Sequence, residues 1–387
     1  MLSFIFHPEC TSTTYLFTDK EPIHPPTFPS HSIPGPMASK FWPKGGLPGL
    51  LHHYTETLVT FEYTTTPTPK PNSLVFIGGL GDGLATTSYT ADLVRALAPT
   101  TWSLFTLTLT SSYQGWGLGH LDRDTNEIAQ CVQYIQSYKR SQLPSSSSTG
   151  KVVLMGHSTG SQCVLHYLSR ANPHAGPAPA FDPDLVHVMR PAVDGAILQA
   201  PVSDREAMQC VLEGGIGDRS AAECRRVYET MVSLAREAEK TRGVGAGDVV
   251  LPLELTGVIY PGLTAVSGRR FLSLVSPESP AAPREDDLFS SDIGDEGLGR
   301  TFGMVRERGL LGGGMMVLMS GADQSVPEWV DKEALLARWR RAIDGDGPPI
   351  WDERSGLIPN ASHALSNDDQ AMPRRILVEK VLGFLGV

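Results

Sequence analysis

Short apolar runs of strand length alternate along this chain with stretches in which apolar residues recur at helical spacing. The strand-like runs are residues 57–64, 73–77, 102–110, 152–155, 195–199 and 315–319. Helical stripes lie between or after them, in residues 93–97, 128–135, 161–169, 221–238, 329–342 and 374–384. Such alternation predicts a mostly parallel sheet with helices packed on both faces. The predicted fold class is therefore α/β.

The most informative stretch begins with the buried strand predicted over residues 152–155. It continues as Gly156-His157-Ser158-Thr159-Gly160 and then as a helix. This strand, turn and helix form the context of a nucleophile elbow, in which the turn holds a serine in a strained conformation. The glycines are needed because the strand and the helix pass too close for a Cβ. We predict that Ser158 is a nucleophile, and the alternative is a turn serine that only caps the helix.

A serine hydroxyl needs a histidine to accept its proton and a carboxylate to orient that histidine. With a nucleophile elbow, the order along the chain is serine, acid, histidine. Asp323 follows the strand at 315–319, and His363 follows the last short strand. The alternative for Asp323 is a turn residue bonded to the local backbone. His157 is expected to be a packed or hydrogen-bonded histidine, because its side chain is directed away from Ser158.

A glycine-rich run, Gly-Gly-Leu-Gly-Asp-Gly at residues 78–83, follows the strand at 73–77. A loop in this place supplies one backbone N–H to the oxyanion of an acyl-transfer intermediate, and the residue after the nucleophile supplies the other. We therefore predict an oxyanion hole formed by Leu80 and Thr159. A phosphate loop is disfavoured because the run lacks a Gly-Lys-Ser/Thr ending. Asp82 is interpreted as a turn or helix-start residue.

The alternating pattern stops after the strand at 195–199. Residues 201–313 are helical and irregular, and an insertion at this edge of such a sheet forms a lid. We predict four parts: a proline-rich arm (1–49), a first core segment (50–200), a cap (201–313) and a second core segment (314–387). The serine run at 145–148 is expected to be a flexible loop.

Composition narrows the classes of partner and compartment. A net charge of −10 argues against nucleic acid and anionic membranes as partners. The five cysteines are scattered, with no CxxC or metal-ligand spacing. No apolar run reaches membrane-spanning length. We expect a cytoplasmic protein with reduced thiols that acts on a small molecule without a metal or cofactor, and the sequence does not indicate its oligomeric state.

Seven segments extend this interpretation when they are taken together and in order. They are FIGGLGDGL, SSYQGWG, GHSTGSQ, APVSDREA, DDLFSSD, SGADQSVP and IPNASHALS. The set resembles a fungal and plant family of α/β-hydrolase-like proteins, long carried as a domain of unknown function. Fungal members include esterases that open the ester-linked siderophore fusarinine C. The resemblance runs from about Leu51 to the C-terminus, and DDLFSSD and SDREA are its most specific segments.

The resemblance implies an α/β-hydrolase fold with a cap, the triad Ser158, Asp323 and His363, and ester hydrolysis that releases iron inside the cell. Fusarinine-type substrates carry free amines, so an acidic lid around Glu285 would attract them; the alternative is a solvated acidic loop. Two other functions stay open, an esterase or lipase for another carboxylic ester and a catalytically inert binding protein. The candidate substrate contacts are Gly79, Asp82, Tyr113, Trp116, Asp286 and Asp287.

Overall fold

The computed structural model describes residues 46–64, 68–143, 150–174, 176–242, 249–262, 264–366 and 368–387. Most of the proline-rich arm and the serine run at 145–148 lie outside these residues. Within them, eight strands form one sheet. The strands are β1 (Gly49–His53), β2 (Val59–Tyr63), β3 (Asn72–Ile77), β4 (Trp102–Leu107), β5 (Val152–His157), β6 (Gly195–Gln199), β7 (Met315–Ser320) and β8 (Gly356–Ile358).

The strand order is β1-β2-β4-β3-β5-β6-β7-β8. All strands from β4 to β8 in this order are parallel, whereas β1 and β2 pair in the antiparallel sense. The expected mostly parallel sheet is confirmed. Strand β1 is an addition to the prediction. Its Leu50 and Leu51 are both exposed, so its sequence has no alternating pattern, and backbone pairing with β2 defines it.

Helices follow most of the parallel strands. They are α1 (Thr90–Leu97), α2 (Leu121–Gln142), α3 (Thr159–Ser169), α4 (Asp204–Gly214), α5 (Ala221–Arg242), α6 (Leu253–Ile259), α7 (Gly268–Val275), α8 (Asp295–Arg300), α9 (Met304–Arg308), α10 (Lys332–Asp344) and α11 (Ala371–Leu385). None of these described helices is both long enough and apolar enough to cross a membrane.

Alternate side chains of the central strands enter two separate cores. Val75 of β3 packs in the core with α2, α3 and α10, whereas its neighbour Leu74 packs in the core with α1 and α11. Successive side chains of a strand point to opposite faces, so a strand buried on both faces is apolar throughout. This explains why β3, β5 and β7 appear in the sequence as continuous apolar runs.

The segment between β6 and β7 contains α4 to α9. Helices α4 to α7 surround a third apolar cluster, to which Met231 and Phe271 contribute, and Trp116 from the sheet side joins it. Helices α8 and α9 instead contribute Leu298 and Val305 to the main core beside the sheet. We propose that the cap is built around the third cluster. The boundaries 201 and 313 stay a prediction.

Candidate active site

Ser158 lies in the tight turn between β5 and α3, with φ +53° and ψ −125°. A side chain other than glycine rarely adopts a positive φ, and such strain is concentrated at functional sites. The flanking glycines allow the close approach that the turn requires. A Cβ on Gly156 would lie 2.3 Å from the carbonyl oxygen of Gly160, and a Cβ on Gly160 would lie 2.3 Å from that of Ile77. The predicted elbow geometry is therefore present.

The structure brings together the three side chains predicted to form a triad. His363 Nε2 lies 2.8 Å from Ser158 Oγ, and His363 Nδ1 lies 2.8 Å from Asp323 Oδ2. Asp323 follows β7 and His363 follows β8, so both reach the carboxyl edge of the sheet where β5 delivers Ser158. Asp323 Oδ1 also accepts a hydrogen bond from the backbone N–H of Ser325. The local turn bond and the contact with His363 therefore occur together.

The electrostatics of His363 favour its protonated form. Burial by itself lowers the pKa of this histidine, but the hydrogen bond and the negative charge of Asp323 outweigh burial, so the pKa is raised. The Asp323 side chain is almost completely buried. A buried carboxylate beside Nδ1 fixes the tautomer in which Nε2 can accept a proton from Ser158, and it stabilises the imidazolium that then forms.

The glycine-rich loop after β3 lies against the serine. A Cβ on Gly79 would be 2.7 Å from Ser158 Cβ and 3.3 Å from its Oγ. Leu80 and Thr159, the predicted oxyanion donors, line one narrow cavity together with Gly79. Thr159 begins α3, where backbone N–H groups have no partner within the helix. A serine in a strained turn, its histidine and acid, and a glycine-rich loop therefore lie together, as an acyl-transfer site requires.

Comparison with known proteins assigns the chain to a family. Residues 37–386 match the family described as "Protein of unknown function (DUF1749)". The chain belongs to this family. The match begins at residue 37, so the end of the predicted arm is part of the family sequence, contrary to the expectation that the likeness starts near Leu51.

Two members from Aspergillus fumigatus are close in sequence. The chain is 71% identical to "Fusarinine C esterase sidJ" over 90% of this chain and 98% of that protein. It is 68% identical to the solved structure "Siderophore hydrolase EstB", with a TM-score of 0.80 over 89% of this chain and 98% of the other. A third structure, titled "Alpha/Beta hydrolase fold protein of unknown function", is 13% identical, with a TM-score of 0.50 over 88% and 96% of the two chains. The chain has the α/β-hydrolase fold.

Asp82 holds the oxyanion loop in shape. Its Oδ2 accepts hydrogen bonds from the backbone N–H of Gly79 at 2.9 Å and from the Thr87 hydroxyl at 3.0 Å, and its Oδ1 accepts one from Thr86 at 2.6 Å. Both oxygens are thus bonded within the loop and the turn after it. These bonds support the interpretation of Asp82 as a turn residue, and its expected contact with substrate stays a prediction.

The two aromatic candidates flank this loop in different ways. Tyr113 is half exposed, and its ring lies so close to Gly83 that a Cβ there would be 2.0 Å from the ring. The Tyr113 hydroxyl accepts a hydrogen bond from the backbone N–H of Leu84. Trp116 is buried, lines the narrow cavity with the oxyanion residues, and packs against Tyr260 at a ring distance of 5.1 Å. Trp116 therefore connects the core to the cap.

The expectation that Asp286 and Asp287 line the entrance is wrong. Asp286 is 1% exposed, and both of its carboxylate oxygens lie 2.6 Å from Nη1 of Arg270. Asp287 is 4% exposed and forms an ion pair with Nε of Arg205 at 3.2 Å. A charge in the interior needs a partner, and here each carboxylate has an arginine from another part of the insertion. Both carboxylates are thus paired inside the insertion, and their expected contact with substrate stays a prediction that this burial does not support.

Glu285, the first residue of that acidic run, lies beside a buried histidine. His166 Nε2 is 3.6 Å from Glu285 Oε1 and 2.8 Å from Asp122 Oδ1. The ligand atoms of these three residues lie within 4.8 Å of one another, a spacing at which they could hold a metal ion. The expectation of a metal-free protein therefore stays a prediction.

Sequence analysis missed a polar network behind the serine. His157 Nδ1 lies 2.5 Å from Oε1 of Gln199, and the Tyr89 hydroxyl donates to the same oxygen at 2.8 Å. The expectation of a hydrogen-bonded His157 is confirmed. A second hydrogen-bonded pair lies near the site. Gln162 Nε2 donates to Asp204 Oδ2 at 2.9 Å. The sequence feature that could have identified Gln162 is its position one helical turn after Ser158.

Proposed function

We propose that this protein is a serine esterase that hydrolyses carboxylic ester bonds of a hydroxamate siderophore such as fusarinine C. The observation that carries the esterase chemistry is the pair of 2.8 Å contacts that join Asp323, His363 and Ser158 at the strained elbow. The substrate class is supported by the names of the two Aspergillus fumigatus relatives. The catalytic roles of the three residues are part of this proposal.

The geometry supports a two-step reaction. His363 Nε2 takes the proton of Ser158 Oγ as that oxygen attacks the ester carbonyl, and the backbone N–H groups of Leu80 and Thr159 stabilise the oxyanion. The intermediate collapses, and the alcohol leaves with the proton from His363. Water, deprotonated by the same histidine, then attacks the acyl-serine, and His363 returns that proton to Ser158 Oγ as the carboxylic acid leaves. Asp323 stabilises the imidazolium in both steps.

We further propose that the reaction takes place in the cytoplasm. The described cysteines, Cys131, Cys163, Cys210 and Cys224, are all free. Three of them are buried, and burial raises the pKa of Cys131 to about 12, which keeps its thiol protonated and unreactive. Such thiols suit a reducing compartment. Fractionation of cells that express the tagged protein tests this assignment.

The function is tested with a fluorophosphonate probe and with ferric fusarinine C, followed by mass analysis of the products. We expect the wild-type protein to gain one probe adduct on Ser158 and to release hydrolysed siderophore. Ser158→Ala should abolish labelling and lower kcat by about 10⁶-fold while the protein stays folded. Ser141→Ala, on the exposed end of α2, is the matched control and should behave as the wild type.

The possible outcomes separate the two parts of the proposal. Turnover near the wild-type rate in Ser158→Ala would contradict the nucleophilic role of this serine. A wild-type protein that hydrolyses simple esters but leaves fusarinine C intact would keep the esterase chemistry and refute the siderophore substrate. A protein that takes up no probe would be an inert member of the fold.

A further inference from the structure

Asp204 occupies a distinctive place at the edge of the proposed active site. It is the first residue of α4, shortly after β6, the strand beside the one that carries Ser158. Its Oδ2 accepts a 2.9 Å hydrogen bond from Nε2 of Gln162, which lies in α3 one turn after Ser158. The carboxylate is therefore held where the carboxyl edge of the sheet meets the insertion.

One oxygen of this carboxylate is free. Oδ1 accepts no hydrogen bond within the described part of the chain, and it is not among the buried atoms without a partner, so solvent reaches it. Asp204 as a whole is half-buried. Burial raises its pKa to about 6, which leaves it mainly ionised at neutral pH. An ionised carboxylate offers only acceptors, and its strongest partner is a cationic donor.

The charge of Asp204 acts on groups that belong to the site. After the hydrogen bond and charge of Asp323, the carboxylates of Asp204 and then Asp82 also raise the pKa of His363. Burial raises the pKa of Tyr260, and Asp204 is the charged group that adds most to that effect. Tyr260 packs on Trp116, which lines the cavity with the oxyanion residues. The charge of Asp204 therefore acts both on the proposed catalytic histidine and on a tyrosine of the cap.

The carboxylates that raise the pKa of His363 make the electrostatic potential of the site negative, and Oδ1 of Asp204 is free to accept a hydrogen bond there. Arg270, a cation whose charge acts on Asp204, has Nη1 bonded to Asp286 and Nε bonded to the backbone oxygen of Trp116. These two bonds hold the guanidinium to other partners, and its charge only partly offsets the effects that raise the pKa of Asp204. An ionised carboxylate attracts positive groups and repels negative ones.

We propose that Asp204 determines specificity by binding a protonated amine, or another cationic donor group, of the ester substrate through its free Oδ1. The inference rests on the proposed esterase function and deepens it. It assigns the attraction of a cationic substrate to a residue that is hydrogen-bonded to Gln162, one helical turn after the nucleophile. Esters that carry a cationic group near the scissile carbonyl are the predicted preferred class, and anionic esters are disfavoured.

The test compares an amino-acid ester with its N-acetyl derivative, made with the same alcohol, in the wild-type protein and in Asp204→Asn. The substitution keeps the shape and an oxygen for Gln162, but it removes the charge. We expect kcat/KM for the amine-bearing ester to fall about 10- to 100-fold, the range of a hydrogen bond to a charged group. The N-acetyl ester should change by less than about twofold, because it has no ammonium for the carboxylate to bind.

The ratio of the two kcat/KM values is the decisive readout, because it does not depend on how much of the variant is folded. Asp295→Asn is the matched control; its side chain is 90% exposed, and it removes the same charge from the surface. The ratio in this control should equal that of the wild type. If Asp204→Asn lowers kcat/KM equally for both substrates, or for neither, Asp204 does not bind the substrate amine and the inference is wrong.

A binding measurement separates this inference from the proposed function. Calorimetry with Ser158→Ala protein and the amine-bearing ester reports affinity without turnover. Weaker binding on adding Asp204→Asn, with the N-acetyl ester unaffected, supports the inference even if the wild-type protein hydrolyses neither ester. Equal affinity with and without Asp204→Asn would overturn it while leaving the esterase proposal to its own test.

Discussion

Gly79 provides the sharpest test of the oxyanion loop. In Gly79→Ala the new methyl group would lie 2.7 Å from Ser158 Cβ, 3.2 Å from the His157 carbonyl oxygen and 3.3 Å from Ser158 Oγ. Ordinary contacts of a Cβ begin near 3.4 Å. The shortest of these contacts is about 0.7 Å too close, so the backbone of Gly79 and the elbow must separate by about that distance, because neither is the end of a flexible side chain.

The expected consequence is a loss of kcat. Displacing catalytic groups by about 1 Å costs on the order of 10²-fold, and losing one oxyanion donor costs about 10²- to 10³-fold. We expect kcat to fall by about 10²-fold or more, with a much smaller change in KM, because the oxyanion forms only in the transition state. Overpacking should also lower the free energy of unfolding by about 1–3 kcal/mol.

The assay measures kcat and KM on a simple carboxylic ester, together with the rate and final extent of fluorophosphonate labelling. Labelling of Gly79→Ala should be slower but complete, which shows that the fold and Ser158 persist. Gly257→Ala in α6 is the matched control, since a Cβ there meets nothing within 4 Å. If Gly79→Ala retains kcat within about threefold of the wild type, the loop does not form the oxyanion hole in the way described, because losing one oxyanion donor should cost about 10²-fold or more.

Three further predictions concern the rest of the molecule. Activity should fall as the pH drops through the raised pKa of His363, because protonated His363 cannot accept the serine proton. A pH–rate profile of kcat/KM should place this acid limb above about 6.5, the ordinary value for histidine. An acid limb well below that pH would contradict the role of Asp323. Arg270→Met leaves Asp286 buried without a partner and should lower the free energy of unfolding in urea by about 3–5 kcal/mol. Adding Asp286→Leu should recover much of that loss, whereas an equal loss in the double variant would show that the ion pair is not the cause. The control is Arg300→Gln, in an exposed pair with Glu296, which should lower the free energy of unfolding by less than about 1 kcal/mol. A metal chelator should leave kcat unchanged, and a loss that zinc restores would refute the metal-free mechanism.

Local sequence determined the architecture around the serine. The apolar run before Ser158 and the glycines on either side of it define a strand, a tight turn and a helix, because each feature depends on neighbours within a few residues. Asp323 and His363 were predicted because each follows a predicted strand, and parallel strands end at one edge of a sheet. The structure brings these side chains within 2.8 Å of their expected neighbours. Their catalytic roles stay a proposal.

Tertiary structure alone decided which acidic side chains face solvent and which are paired. In the sequence, Asp286 and Asp287 appear as part of an exposed acidic run, yet Arg270 and Arg205 bury them in ion pairs. Asp204 lies in SDREA, one of the most specific segments of the resemblance, but only its contact with Gln162 in the folded chain places it near the site. A sequence shows where a charged residue lies along the chain, but not which way its side chain faces. Whether a carboxylate attracts a ligand or stabilises the fold depends on partners that only the folded chain brings near.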